Sequence, residues 1–182
     1  MNPNKTAYNN LYSSYPSGYA PYTNRCTSFN SLGNMIRLVR TNSQNPEFKR
    51  LVQLLNLDLA KRDGETHPLS EFNDISELNN VVLALRKDKA IGCGAISEYD
   101  SNTMEIKRMY VSLEARGLRI GGKILSELEN WSIELGNSRC ILFMGSKQPE
   151  ASKLYQKNKY NLIGKYGKLK NISDSICLAK NL

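Results

Sequence analysis

The stretch MEIKRMYVSLEARGLRIGGKIL, Met104 to Leu125, decides how the chain is read. An alternating strand runs through a short loop into a glycine-rich turn, and the turn opens an amphipathic helix. The first backbone N–H groups of such a helix have no intrahelical partner, and its summed peptide dipoles leave partial positive charge there. An anion satisfies both. Gly117, Gly121 and Gly122 remove side chains that would hold an anion off the backbone, while Arg116, Arg119 and Lys123 add full charges nearby. A phosphate group is the ligand these residues suit.

Three glycine-rich templates can be tested against the same positions. The dinucleotide pattern G-x-G-x-x-G is absent, because three residues separate Gly117 from Gly121. The P-loop pattern G-x-x-x-x-G-K-[ST] places Gly117, Gly122 and Lys123 correctly, but Ile124 stands where a hydroxyl must ligate Mg²⁺. Glu105, Lys107 and Arg108 also make the preceding strand too polar for a P-loop strand, which is normally buried on both faces. The third template fits. The segment resembles the acetyl-CoA loop of the GNAT superfamily of N-acetyltransferases, [QR]-x-x-G-x-[GA], with Arg116 at its first position and Gly121 at its last. Arg119 replaces the signature's first glycine. The resemblance extends through EIKRMYV before the loop and PEASKLYQKNKY, Pro149 to Tyr160, after it, and covers roughly Met35 to the C-terminus.

The flanking sequence agrees in its order of elements. A strand is predicted over Ile36 to Arg40, then a helix over Pro46 to Ala60 with Phe48, Leu51, Val52, Leu55 and Leu59 on one face. After a polar stretch, strands over Val81 to Leu85, Ala90 to Ser97 and Thr103 to Val111 read as an antiparallel meander, with a turn at Arg86 to Lys89. The helix from Ile120 presents Ile124, Leu125, Leu128, Trp131 and Leu135 on one side and stops at Gly136. A strand over Cys140 to Met144, a helix from Pro149 to Asn158 and two final strands follow. The strand, helix and strand from Thr103 to Met144 should form a parallel pair with a right-handed crossover. The fold class expected is α/β (α+β), a GNAT fold. Its mixed central sheet would carry an antiparallel N-terminal meander, helices on both faces, and parallel strands that splay at the acyl-CoA cleft.

A chain of 182 residues suits one domain, placed over residues 35–182. Residues 1–34 are rich in Asn, Tyr, Ser and Pro, contain no Asp or Glu, and show no apolar periodicity, so they are read as a flexible extension. With no apolar leader and no run long enough to span a bilayer, a cytoplasmic protein without a membrane partner is expected. Cys93, Cys140 and Cys177 sit in predicted strands and there is no C-x-x-C pair, which suggests reduced, buried thiols. His67 is the single histidine, so no metal site is expected.

The resemblance implies transfer of an acetyl group from acetyl-CoA, as acyl-donor cosubstrate, to a primary amine by direct attack in a ternary complex. It assigns the cofactor site to Met109, Tyr110 and Val111, whose backbone would hold the thioester carbonyl, and to Arg116, Gly117, Leu118, Arg119, Ile120, Gly121, Gly122 and Lys123. Tyr155 matches the family's general acid, which would protonate the departing thiolate; its other reading is a core aromatic. Glu105 is either a base acting through water or a surface partner of Lys107 or Arg108, and alternation leaves its face open. Asp63 and His67, within LAKRDGETHPLSEFND, Leu59 to Asp74, are candidate acceptor-binding groups, although a turn at Asp63-Gly64 and capping by Ser70 or Asp74 explain them as well. Among partners, the resemblance implies an amine acceptor and, since dimers are common in the family, a homodimer.

Two rival readings remain. A net charge of +8 with lysines crowded in the C-terminal third invites nucleic-acid binding, but no recognised nucleic-acid motif accompanies them and nucleic acid is not the expected partner. A non-catalytic acyl-CoA sensor of the same fold is the other, left open by Arg119 and by Lys159 at a usual family glycine.

Overall fold

Alternating apolar residues from Ile36 to Thr41 (β1) pair antiparallel with Asn80 to Arg86 (β2), which pairs in turn with Lys89 to Asp100 (β3). Lys87 and Asp88, at φ 48° and 65°, turn the chain between β2 and β3, as a two-residue hairpin loop requires. Thr103 to Val111 (β4) completes the meander. These elements belong to a computed structural model that describes residues 35–64 and 67–182, with the side chains of Asp63 and Glu71 excluded. The extension expected over residues 1–34 lies outside the described residues.

Beyond β4 the chain forms a helix over Ile120 to Glu134 (α2) and a strand over Arg139 to Gly145 (β5). A helix over Pro149 to Lys157 (α3), a short strand over Asn161 to Ile163 (β6) and a last strand over Ser175 to Asn181 (β7) complete it. The seven strands form one sheet in the order β1-β2-β3-β4-β5-β7-β6, antiparallel except for the β4–β5 pair. The predicted meander, parallel crossover and helices on both faces are all present.

One core lies under α2, where Ile120, Ile124, Leu125, Leu128 and Trp131 pack on the sheet with Ile106, Leu142 and Tyr155. The other lies under the helix over Pro46 to Asp63 (α1), through Phe48, Leu51, Val52 and Leu55. Leu135 departs from expectation: it follows the last turn of α2 and is 47% exposed, because the chain reverses at Gly136, φ 87°, before that side chain can reach the sheet. The thiols of Cys93, Cys140 and Cys177 are free and buried, as the strand pattern predicted. Among the described residues no helix is long and apolar enough to cross a membrane.

One irregularity shapes the sheet. Cys93 pairs with Tyr110 and Ala95 with Lys107, so two steps along β3 face three along β4. The extra residue forms a β-bulge, and Arg108, at φ 56°, takes the left-handed conformation there. Gly94 makes room opposite: a Cβ on it would lie 2.5 Å from Met109 Sδ and 2.8 Å from Leu128 Cδ1. Gly94→Ala is expected to destabilise the protein by ~1–3 kcal/mol through overpacking, measured as a lower urea midpoint at unchanged slope.

Candidate active site

Parallel pairing of β4 with β5 covers only Thr103–Arg139, Met104–Cys140 and Glu105–Ile141. Past Glu105 the two strands part, and residues 106–111 of β4 have no strand partner on the β5 side. The gap opens into a cleft of about 1420 Å³ between α1, the loop after β4, β5 and α3. Of the backbone predicted to hold a thioester, Met109, Tyr110 and Val111 all line it.

The glycine-rich loop sits at the outer end of the gap. After a 3₁₀ turn over Leu113 to Ala115, Gly117 takes φ 81° and Arg119 takes φ 59°, and the chain enters α2. The start of α1 is closed by Asn45, whose Oδ1 accepts from the N–H groups of Glu47 and Phe48 at 2.9 and 3.4 Å. The start of α2 has no side-chain cap and no acidic residue in its first turn. Gly122 faces open space, so its N-terminal amides are reachable from the cleft. Arg116, Gly117, Arg119, Ile120, Gly121, Gly122 and Lys123 line the cleft, whereas Leu118 turns away from it and is half-exposed.

Arg116 does more than add charge. Its Nε donates to the Val111 carbonyl at 3.1 Å and its Nη2 to Asp58 Oδ2 at 3.0 Å, with Nη1 3.8 Å from Glu150 Oε1. Arg62 lies in the same cluster and donates through both Nη groups to Glu150 at 2.9 and 2.8 Å. Together these residues tie the loop and α3 to α1 across the cleft mouth. The Arg62 guanidinium holds the Glu150 carboxyl down at about 2.

The other predicted groups divide. Tyr155, on α3, lines the cleft and is buried, and desolvation pushes its phenol well above the ordinary range, so it stays protonated. Its ring meets Tyr160 edge-on at 5.6 Å. Glu105 is buried outside the cleft lining, at the closed end of the splay. Tyr166 donates to its Oε1 at 2.7 Å and Lys107 to its Oε2 at 3.0 Å. Both oxygens are engaged, so the pairing with Lys107 is the alternative found, in a buried setting rather than on the surface. His67 lines the cleft, but its Nδ1 accepts from Leu69 N–H at 3.2 Å and so caps the 3₁₀ turn over Pro68 to Phe72. Asp74 likewise bonds Ser76, closing a turn. The side chain of Asp63 lies outside the described residues. Among those residues, no three His, Cys, Asp or Glu side chains group to hold a metal.

Known proteins resemble this chain in sequence and in fold. The profile of the acetyltransferase (GNAT) family matches residues 48–160. An "IAA acetyltransferase" of Azospirillum brasilense is 30% identical over 132 residues, 68% of this chain and 85% of its own. The chain belongs to the GNAT acetyltransferase family. It is an acyltransferase by that membership. Solved structures agree in fold: a Klebsiella pneumoniae protein assigned as an acyl-CoA N-acyltransferase superposes with a TM-score of 0.70 at 23% identity, over 81% of this chain and 98% of that one. A GNAT acetyltransferase from Elizabethkingia anophelis with acetyl-CoA bound gives 0.60 at 18% identity, over 81% and 98%. In this GNAT chain Arg119, at the signature's first glycine position, and Lys159, after α3, both take left-handed conformations, at φ 59° and 67°. Such a conformation costs a residue with a side chain ~1–2 kcal/mol, a penalty that glycine escapes.

One residue of the GNAT cleft escaped the sequence reading. In the sequence Arg108 reads as a polar strand residue and a surface partner of Glu105, yet it is buried and lines the cleft. Its Nη1 and Nη2 donate to the side-chain oxygens of Asn73 and Asn56, and its Nε is buried without a partner. The signal was the charged pair Lys107-Arg108 inside an apolar strand, which strict alternation cannot place on one face.

A pH test follows from Glu150. Its folded pKa lies below the ordinary 4.5, so its ionic link is fully present above about pH 5 and is lost as pH falls towards 2. Glu150→Gln should therefore lower stability at pH 7 by no more than ~1 kcal/mol, since the side chain is half in solvent. The gap from wild type, followed by chemical denaturation, should narrow steadily below pH 4.5.

Proposed function

We propose that this protein is an acetyl-CoA-dependent N-acetyltransferase that passes the acetyl group directly to a primary amine bound in the same cleft. The observation that carries this reading is the uncapped, glycine-lined N-terminus of α2, placed at the open end of the splayed β4–β5 pair. Free amides and a helix dipole suit the pyrophosphate of CoA, and Arg119 and Lys123 stand beside them. The parted strands leave room for an extended arm reaching inward, with the backbone of Met109 to Val111 available along it. Bound acetyl-CoA would supply an activated thioester.

The chain's own groups account for the remaining needs. Backbone N–H groups in the bulged part of β4 would orient the thioester carbonyl and stabilise charge that develops on its oxygen. The C–N bond to the amine forms as the C–S bond breaks, and the departing sulfur takes a proton. Tyr155 fits that donor role, since burial keeps its hydroxyl protonated and it faces the cleft from α3. The attacking amine must shed a proton to solvent or to bound water, because Glu105 already serves Tyr166 and Lys107. Membership of a transferase family sets aside the sensor reading, and the basic charge is in part accounted for by a polyanionic cosubstrate.

Acetyl-CoA at about a hundred times its Kd should raise the melting temperature by on the order of 5 °C. No shift at saturation would sink the proposal. Tyr155→Phe should lower kcat by ~10²-fold or more while leaving the Kd for acetyl-CoA within a few-fold, read by CoA release and by titration. Unchanged turnover would remove Tyr155 from the chemistry.

A further inference from the structure

Arg108 is a cation that the fold buries without a countercharge among the described residues. It is 9% exposed, it lines the cleft, and among the described residues no carboxylate pairs with it. Its partners are the neutral amides of Asn56, on α1, and Asn73, just after the 3₁₀ turn. Two other cleft arginines, Arg62 and Arg116, differ in that both meet Asp58 and Glu150. A guanidinium cannot discard its proton, so desolvation is not relieved by neutralisation, and an isolated buried charge costs several kcal/mol unless an anion joins it. Two amide oxygens fix the group in place and leave its charge uncancelled.

Its position says which reactant brings the anion. The CoA phosphates, on the reading above, lie at the α2 N-terminus, beyond the end of β4, whereas Arg108 sits in the bulge and its side chain turns to α1 and the 3₁₀ turn. The thioester would lie along the β5-facing backbone of β4, not on this side. Phe72, which precedes the Asn73 that holds Arg108, meets Phe143 with ring centroids 5.1 Å apart, and both line the cleft. We propose that the acceptor is an amine that also carries a carboxylate, and that Arg108 receives that carboxylate and sets the specificity. The planar fork of an arginine suits a carboxylate edge, and Asn56 and Asn73 are the positioning residues that hold it. The proposal rests on acetyl transfer in this cleft and adds the substrate class.

The test first establishes the acetyl-CoA thermal shift, whose absence would overturn the underlying reading rather than the specificity. Turnover is then compared for matched pairs: L-phenylalanine with L-phenylalaninamide, β-alanine with β-alaninamide, and 4-(aminomethyl)benzoate with 4-(aminomethyl)benzamide. In parallel, CoA-saturated protein is melted with benzoate and with benzamide, which needs no turnover. Wild type should favour the carboxylate member by at least ~10-fold in kcat/KM, as expected for a buried charge pair, and benzoate alone should raise the melting temperature. Arg108→Gln should erase both preferences. Asn73→Asp, which places a carboxylate beside the guanidinium, should erase them too while raising the thermal stability of the unliganded protein; it keeps the test decisive if Arg108→Gln fails to fold. A panel blind to the carboxylate in both arms, or a preference that survives in Asn73→Asp or in folded Arg108→Gln, overturns the proposal.

Discussion

The bulge in β4 is the constraint on which the site depends. An extra residue at Arg108 increases the local twist, and the strand turns away from β5 soon after Glu105. A regular β4 would continue the parallel ladder and close the gap, because unpaired backbone in a sheet interior is costly. Here the ladder stops after three pairs and the loose edge faces a cleft, where solvent or a ligand can satisfy it. The bulge is in turn held by what surrounds it. Gly94 leaves room for Met109, and Asn56 and Asn73 hold the Arg108 side chain. The conformation costs free energy locally, and packing of α2 against β3 keeps it in place.

Charge is distributed in the same frame. The protein carries a net charge of +8, yet the mouth of the cleft is crossed by a compensated cluster, with Asp58 and Glu150 meeting Arg62 and Arg116. Arg116 therefore orders the loop mechanically, through the Val111 carbonyl and α1. The α2 terminus, by contrast, carries no side-chain cap, and Arg119 lines the cleft beside it. Backbone dipoles carry more of the positive charge there than the sequence pattern of arginines and glycines suggested.

Much of the fold was legible because its signals are local. Apolar spacing located α1 and α2, the Lys87-Asp88 turn separated β2 from β3, and Gly136 marked the end beyond which Leu135 no longer packs. The glycine-rich loop and its uncapped helix start were legible for the same reason, since they and the strand before them are contiguous in the chain. The rest depended on long-range geometry. Nothing near Glu105 in sequence announces Tyr166, which stands 61 residues further on and occupies one of its oxygens. Nor does the Lys107-Arg108 pair reveal the bulge, because alternation treats every strand residue as a half-turn and a bulge breaks that count. The imidazole of His67 suggests acceptor chemistry, while its place before Pro68 makes it the cap of a 3₁₀ turn.

The contrast between Glu105 and Arg108, three residues apart on one strand, shows how the bulge allots function. Glu105 lies where β4 is still paired, so its carboxylate is enclosed by sheet and by the chain before β7, and a phenol and an ammonium satisfy it. Those contacts permit its burial, and giving either one up would cost stability. Arg108 lies where the ladder has ended, so the cleft replaces a neighbouring strand. Acidic side chains at positions 56 and 73 would have stabilised the folded protein more simply, since each amide there is isosteric with a carboxylate. Amides at both positions keep the guanidinium oriented while leaving its charge to act on the cleft. Stability forgone at such a point is a common mark of a binding site, and it favours a ligand, rather than the fold, as the partner that completes the charge.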